Sequence, residues 1–475
     1  MNLSRSQYIC AIQCPKMLRM SNHDTEECNP AVSDDDITDL AMGLFGEYKK
    51  DLHPINNEVE IIRDASFSYN GSSCSVDILR NPGNNKVEIY DVRSSTYVHD
   101  PYPDDIAYQN YILRNLGYEV AGAYLILIDK DYVRHGDPEP DKLFKIIDMT
   151  ADANRRYDAV AKNIADIEKM MSDPDEPPTG IGLHCKKPYE CRYFSYCTGD
   201  LPKPNVFDLG GALHDSARFR YHDNKIISYG DLLDQPCLDR KSRQQIEHEL
   251  YDLPPHVNIP AIKSFLDELW YPLYFLDFES VTSGIPLFDG TRPYQQICFQ
   301  YSLHYIEKEG GELKHKEFLA YPGRDPRREL CENLCRDIPE GACVLIYNSS
   351  FEPPRIREMA KYLPDLKDDL ERIISGMKDL MVPFRNRDYY CRDMHGSYSI
   401  KSVLPALYPD DPALDYHNLE GVHNGGEAST AFLRMRDMGP DELERTRDCL
   451  LRYCCLDTYA MVRIWEKLRE AVSTC

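Results

Sequence analysis

Tyr274-Phe275-Leu276-Asp277-Phe278-Glu279 reads as a short, buried β-strand that ends by presenting two carboxylates, Asp277 and Glu279. Strand side chains alternate between faces, so residues two apart point together. Two acids on one face repel each other and resist burial. A hard divalent cation, which prefers oxygen ligands, makes such a pair worthwhile. A strand end carrying two solvated acids is the competing reading.

Working outward, PLYFLDF (272–278), QICFQYSLHYI (296–306), HKEFLAY (315–321) and ACVLIYNSS (342–350) read as strands. PGRDPRRELCENLCRDI (322–338), PPRIREMAKYL (353–363), ASTAFLRMRDM (428–438) and residues 443–472 read as helices. Consecutive strands followed by covering helices suit a ribonuclease-H-like α/β fold over 269–475. Glu352, in NSSFE (348–352), sits at a strand-to-helix turn. Tyr453 and Asp457, in YCCLD (453–457), are four apart on the last helix and share a face. Phosphodiester hydrolysis by two metals needs several carboxylates to hold ions about 3.5–4 Å apart, with a group to orient the attacking water.

The order Asp-x-Glu, Asn-x-x-Phe-Glu, Tyr-x-x-x-Asp resembles the tyrosine form of the DEDD 3′–5′ exonucleases. By that resemblance Asp277, Glu279, Glu352 and Asp457 hold Mg²⁺ or Mn²⁺, and Tyr453 positions the nucleophilic water. Glu352 departs from the family's Asp and is one methylene longer. A further acid is expected, and Asp379, in MKDLMVPF (377–384), is a candidate.

The chain of 475 residues carries 17 cysteines and a net charge of −24. That charge disfavours broad attraction to nucleic acid, so a local basic groove, bound metals or a protein partner has to offset it. No apolar run approaches the roughly 20 residues of a membrane span. MNLSRSQYICAIQCPKML lacks the pattern of a signal peptide, and a cytoplasmic location is expected. There disulfides are disfavoured, so a subset of cysteines is considered for metal or cluster ligation.

CSVDILR (74–80) and KVEIYDVRSS (86–95) read as adjacent strands separated by the turn NPGNN (81–85). Residues 104–117 then read as a helix, 122–130 as a strand and 153–173 as a long helix. This α/β block ends near residue 200, after Cys185, Cys191 and Cys197, each separated by five residues. Cys14 is the best fourth ligand and Cys10 the next. Zinc competes with a cluster here, although its paired Cys-x₂-Cys spacing is absent. Residues 201–268, opening at LPKPN and including DRKSRQQIEHELYDL (239–253), read as a helical linker region.

The first block resembles the PD-(D/E)XK nucleases of the RecB/AddB iron–sulfur type. The resemblance puts Asp77 as first acid, Asp91 and Arg93 at the (D/E)-x-K position, and Gln109 as the following glutamine. It implies a [4Fe-4S] cluster on Cys14, Cys185, Cys191 and Cys197 as a structural staple, with metal on Asp77 and Asp91. Arg93 replaces the family's lysine and cannot share a proton, so a degenerate fold kept for binding or assembly is the alternative to a second nuclease centre. An iron–sulfur redox sensor is a third reading.

Together the two patterns resemble an uncharacterised prokaryotic family in which a RecB-like iron–sulfur nuclease domain precedes a ribonuclease-H-like exonuclease domain. SRSQYICAIQCPKMLRM, YPLYFLDFES, GTRPYQQICFQYSLH, YNSSFE, GSYSIKSVLPALYP and YCCLDT look like its recurrent blocks. The resemblance implies a metal-dependent nuclease whose partner is nucleic acid, DNA ahead of RNA. Arg292, Gln296, Gln300 and His304 lie near the first exonuclease strand. A hydrogen-bonded strand histidine outweighs substrate contact for His304. Ser399 and Lys401 are read equally as phosphate contacts near a helix N-terminus or as part of an ordinary capped helix.

Overall fold

The computed structural model describes residues 2–21, 35–50, 60–211 and 213–473. They form two compact units, Met1–Leu201 with Ser283–Gln295, and Pro202–Thr282 with Gln296–Cys475. No helix among the described residues is long and apolar enough to cross a membrane.

The first unit is built on a six-stranded sheet in chain order: β1 (Lys49–Lys50), β2 (Glu60–Tyr69), β3 (Ser72–Gly83), β4 (Lys86–Arg93), β5 (Glu119–Ile128) and β6 (Phe144–Asp148). Asn84 and Asn85 both adopt positive φ, 56° and 62°, in the tight turn that NPGNN predicts. Helix α1 (Arg5–Gln13) precedes the meander, and α2 (Tyr102–Asn115) carries the chain from β4 to the parallel β5. The helix predicted over 153–173 is two, α3 (Thr150–Arg155) and α4 (Tyr157–Ser172). The break falls at Arg156, whose guanidinium reaches Asp104 at 2.7 Å and Asp152 at 3.0 Å.

In the second unit, β7 (Leu273–Val281), β8 (Ile297–Ile306), β9 (Leu313–Leu319), β10 (Cys343–Ile346) and β11 (Met377–Asp379) form a sheet in the order β9-β8-β7-β10-β11. The first three run antiparallel, and β10 and β11 run parallel to β7. Period two divides the faces of β7. Tyr274, Leu276 and Phe278 pack with Leu330, Leu334 and Ile356, from α5 (Arg327–Asp337) and α6 (Glu352–Tyr362). On the other face Phe275 meets the Trp465 ring edge-on at 5.8 Å. Trp465 belongs to α9 (Pro440–Ser473), the last of three helices after α7 (Ile400–Leu407) and α8 (Gly425–Arg434).

Residues 202–268 are helical, as expected, but they do not behave as a linker. They cluster with the second unit and carry a core of their own: Val206, Leu209, Tyr229, Leu232, Leu238 and Ile246. The segment Ser283–Gln295 was not foreseen as part of the first unit. Arg134 Nη1 donates to the carbonyls of Pro286 (2.8 Å) and Leu287 (3.0 Å), and Tyr294 donates to the carbonyl of Ser94 at 2.5 Å. A Cβ on Gly284 would lie 2.8 Å from Ile128 Cδ1, a side-chain tip that would have to shift to admit it.

Candidate functional site

Asp277 and Glu279 share the face of β7 that meets α9. The ladder with β8 shifts after Glu279: Glu279 pairs with Gln300 and Ser280 with Cys298, leaving Phe299 opposite no residue. Such a bulge bends a strand and re-aims the side chains beside it. Donor atoms of Asp277, Glu279 and Cys454 lie within 4.8 Å of one another. Cys454 Sγ is 3.8 Å from Asp277 Oδ2.

Burial, then the charges of Asp457, Glu279 and Glu352, hold the Asp277 carboxyl well above its ordinary range. Burial and Asp457 push Glu279 up to about 8. Burial also lifts Glu352 to about 8 and Asp457 to about 6; for Asp457, bonds from Tyr416 and Tyr453 and the charge of Lys401 limit the rise. Glu352 and Asp457 thus act on Asp277 by charge, but neither joins its donor triad within 4.8 Å. Among the causes of these shifts Lys401 is the one cation, and it acts on Glu279 and Asp457. Its amine lies 5.5 Å from the Tyr416 ring and 5.7 Å from the Tyr453 ring.

Glu352 is the first residue of α6, buried, and its Oε2 has no hydrogen-bond partner among the described residues. The turn before it is built by Asp379. Its Oδ1 accepts from the Asn348 amide at 3.0 Å and its Oδ2 from the Ser349 amide at 3.2 Å. Asn348 takes φ 93°. Asp379 also accepts from the Met381 amide (3.0 Å) and Arg385 (3.3 Å), so this acid shapes the loop that carries Glu352. Tyr416, which no sequence pattern marks, donates to Asp457 Oδ1 at 2.6 Å.

The flanking candidates divide. Gln300 is buried and donates to the Leu450 carbonyl at 2.8 Å. Gln296 accepts from Arg355 at 2.5 Å. Arg292 is exposed in the segment that belongs to the first unit. Ser399 precedes α7 without a side-chain cap bond. His304 is hydrogen-bonded to Thr458 at 2.8 Å, the expected strand role.

The first unit gathers Asp77, Asp91, Arg93 and Gln109 as the sequence predicts, and adds Arg5 and Asp105. Asp91 Oδ1 accepts from Arg5 (2.8 Å) and from Gln109 (3.1 Å), and Arg93 pairs with both Asp91 and Asp105. Asp77 accepts from the Val92 amide at 2.8 Å. Burial opposes charge on Asp91, but Arg93 and Arg5 outweigh it and hold its carboxyl below the usual range. Burial, then Asp91, pushes Asp77 up to about 7. Asp105 is four residues before Gln109 on α2, a spacing legible in DDIAYQ. Arg5 has no local sequence signal.

The four frame cysteines converge. Cys14 and Cys197 act on the Cys185 thiol, Cys14, Cys185 and Cys197 on Cys191, and Cys14 on Cys197. Among the described residues, the triads of donor atoms within 4.8 Å of one another do not include these thiols, so they are spread wider than the roughly 3.8 Å sulfur separations of a tetrahedral zinc site.

Residues 274–399 match a domain of unknown function (DUF2779); Asp277, Glu279 and Glu352 fall inside it, and Tyr453 and Asp457 beyond it. No solved structure matches the chain. The chain is 30% identical over 157 residues to the uncharacterized protein UU173 of Ureaplasma parvum, covering 30% of this chain and 22% of that protein. It is 24% identical over 291 residues to the uncharacterized protein MG366 of Mycoplasma genitalium, covering 54% and 43%, and 26% identical over 220 residues to its Mycoplasma pneumoniae homolog, covering 42% and 33%. The chain thus spans less than half the length of each of these relatives. By these comparisons it is similar to uncharacterised prokaryotic proteins and carries a segment they leave without a function.

Proposed function

We propose that this chain is a metal-dependent nuclease whose working centre lies in the second unit, with Asp277, Glu279, Glu352 and Asp457 as ligands for Mg²⁺ or Mn²⁺. The observation that carries the reading is the buried pair Asp277 and Glu279 on one strand face, their donor atoms within 4.8 Å of each other, with Glu352 and Asp457 acting on Asp277 by charge and Lys401 offsetting Glu279 and Asp457. An all-oxygen donor set fits a hard cation. When bound, such ions supply Lewis acidity that favours hydroxide and stabilises charge on phosphate oxygens. Tyr416 fixes the orientation of Asp457 through its 2.6 Å bond. Tyr453, bonded to the same carboxylate, orients the attacking water through its hydroxyl. Lys401 meets the phosphate of the substrate strand. The β9-β8-β7-β10-β11 order supports a ribonuclease-H-like domain, and the 3′–5′ polarity rests on the resemblance to the DEDD exonucleases.

A different observation favours the non-cleaving reading for the first unit. There Arg5 and Arg93 pair with Asp91 and Asp105, and burial and the charge of Asp91 raise the Asp77 carboxyl and disfavour its charged form. The cluster closes its charge from its own side chains, where a working PD-(D/E)XK centre needs a cation. The α1-β2-β3-β4-α2-β5 succession supports that fold, held by a [4Fe-4S] cluster on Cys14, Cys185, Cys191 and Cys197 in the reducing cytoplasm and serving to bind DNA.

The test is the purified chain with Mn²⁺ or Mg²⁺ on end-labelled single- and double-stranded DNA and RNA. Release of nucleotides from the 3′ end, abolished in Asp277→Asn and unaffected by Asp91→Asn, is expected. No cleavage of any substrate, or turnover in Asp277→Asn equal to the parent, overturns it.

A further inference from the structure

A second constellation of donors lies at the edge of the same sheet. His304 on β8 and His315 on β9 are direct cross-strand partners, their rings 4.5 Å apart. Cys455 reaches them from α9. One donor atom from each of the three lies within 4.8 Å of the others. Glu317, two residues beyond His315 and on the same face of β9, acts electrostatically on both His315 and Cys455. His315 and Glu317 are exposed, so the group is open to solvent.

The rings are tied to two hydroxyls. His304 Nδ1 shares a hydrogen bond with Thr458 Oγ1 (2.8 Å) and His315 Nε2 shares one with Ser302 Oγ (2.9 Å), and the two hydroxyls are bonded to each other at 2.7 Å. The other ring nitrogens, His304 Nε2 and His315 Nδ1, have no hydrogen-bond partner among the described residues. A hydrogen bond at the second ring nitrogen orients a metal-binding histidine. Ordinary packing of two histidines and a thiol does not require the arrangement.

The geometry points to a site for one borderline divalent cation of the zinc class, held by His304, His315 and Cys455 with Glu317 as fourth donor. Two imidazoles, a thiolate and a carboxylate suit zinc, whereas the carboxylate centre suits a harder ion. The ion would pin the edge strand β9 and its neighbour β8 to α9, the helix that carries Tyr453 and Asp457. Closing donors now within 4.8 Å to tetrahedral separations of about 3.3–3.8 Å takes a shift of about 1 Å.

The full chain, stripped of metal, is titrated with Zn²⁺ and separately with Co²⁺. The expected result is one more equivalent of zinc in the parent than in Cys455→Ser or His315→Ala. The same two variants should lose part of the thiolate-to-cobalt charge-transfer band. Working from the difference removes any cobalt taken up by the Cys14 frame. Thr458→Val, which removes an outer partner, should weaken this equivalent about 10- to 100-fold. Asp277→Asn should retain it, so the outcome is separate from the nuclease reading. His315 is exposed, and its variant decides the matter if Cys455→Ser does not fold. Equal zinc stoichiometry and equal cobalt spectra in parent and His315→Ala overturn the proposal.

Discussion

Asp277, Glu279, Glu352 and Asp457 are costly neighbours without a cation, and that cost has a pH signature. Ordinary carboxyls titrate near about 4, while burial and mutual charge move Glu279 and Glu352 to about 8 and Asp457 to about 6. Between those limits the folded chain holds more protons than the unfolded one, so metal-free stability falls as pH rises from about 4 to about 8. Melting curves should show Tm falling across this window, with a shallower slope in Asp277→Asn and a larger gain from Mn²⁺ at the alkaline end. An identical slope in Asp277→Asn would separate these acids. Tyr453→Phe should keep Mn²⁺ binding and lower kcat by about 100-fold or more, the usual scale for a lost proton-transfer or water-orienting group. The acids were legible because each sits in a short pattern on an element whose type is plain from its neighbours. Tyr416 was not, because its role depends on a loop folding back on Asp457, and Arg5 was not, because its partner lies 86 residues away.

Elements decide how those residues are presented. The turn from β10 to α6 holds Asn348 at positive φ and hangs on Asp379. Asp379→Ala removes the acceptor of two turn amides, so turnover should drop about tenfold or more with folding retained, the cost of a small misplacement of Glu352; unchanged kcat would show that the turn holds without it. In the first unit, α1 is tied to the sheet by the bond from Arg5 to Asp91. Arg5→Met leaves a buried carboxylate short of a partner, and urea unfolding should show a loss of about 3–5 kcal/mol, toward the lower end because the Arg5 side chain is 23% exposed. Strand alternation, the NPGNN turn and the two long helical stretches carried most of this architecture in the sequence. The break at Arg156 was hidden, because the apolar spacing runs on through it and only the ion pairs to Asp104 and Asp152 reveal it.

At the scale of the whole molecule the cysteine frame joins the start of the first unit to its end. Anaerobically purified protein should absorb broadly near about 400 nm, as cluster-bound thiolates do, and Cys191→Ala should lose both this absorbance and part of the Tm. A colourless protein with one zinc per frame would return the zinc reading. Composition and motif spacing separated the two halves, but not the fate of residues 202–268 or 283–295. Helical polar stretches look alike whether they link or pack, and Ile285, Gly284 and Tyr294 gain meaning only against residues some two hundred positions earlier.

That last segment bears on the order of events during synthesis. A ribosome adding about 5–20 residues per second delivers Cys197 roughly 5–20 seconds before the stretch around Ile285, Arg292 and Tyr294. Throughout that delay Arg134 and the apolar surface around Ile37 and Ile128 wait for their covering. β7, with Asp277 and Glu279, emerges in the interval, so the nascent chain holds the central strand of one unit's sheet before the other unit is finished. A fragment ended at Leu201 should therefore be sticky even with its cysteines complete.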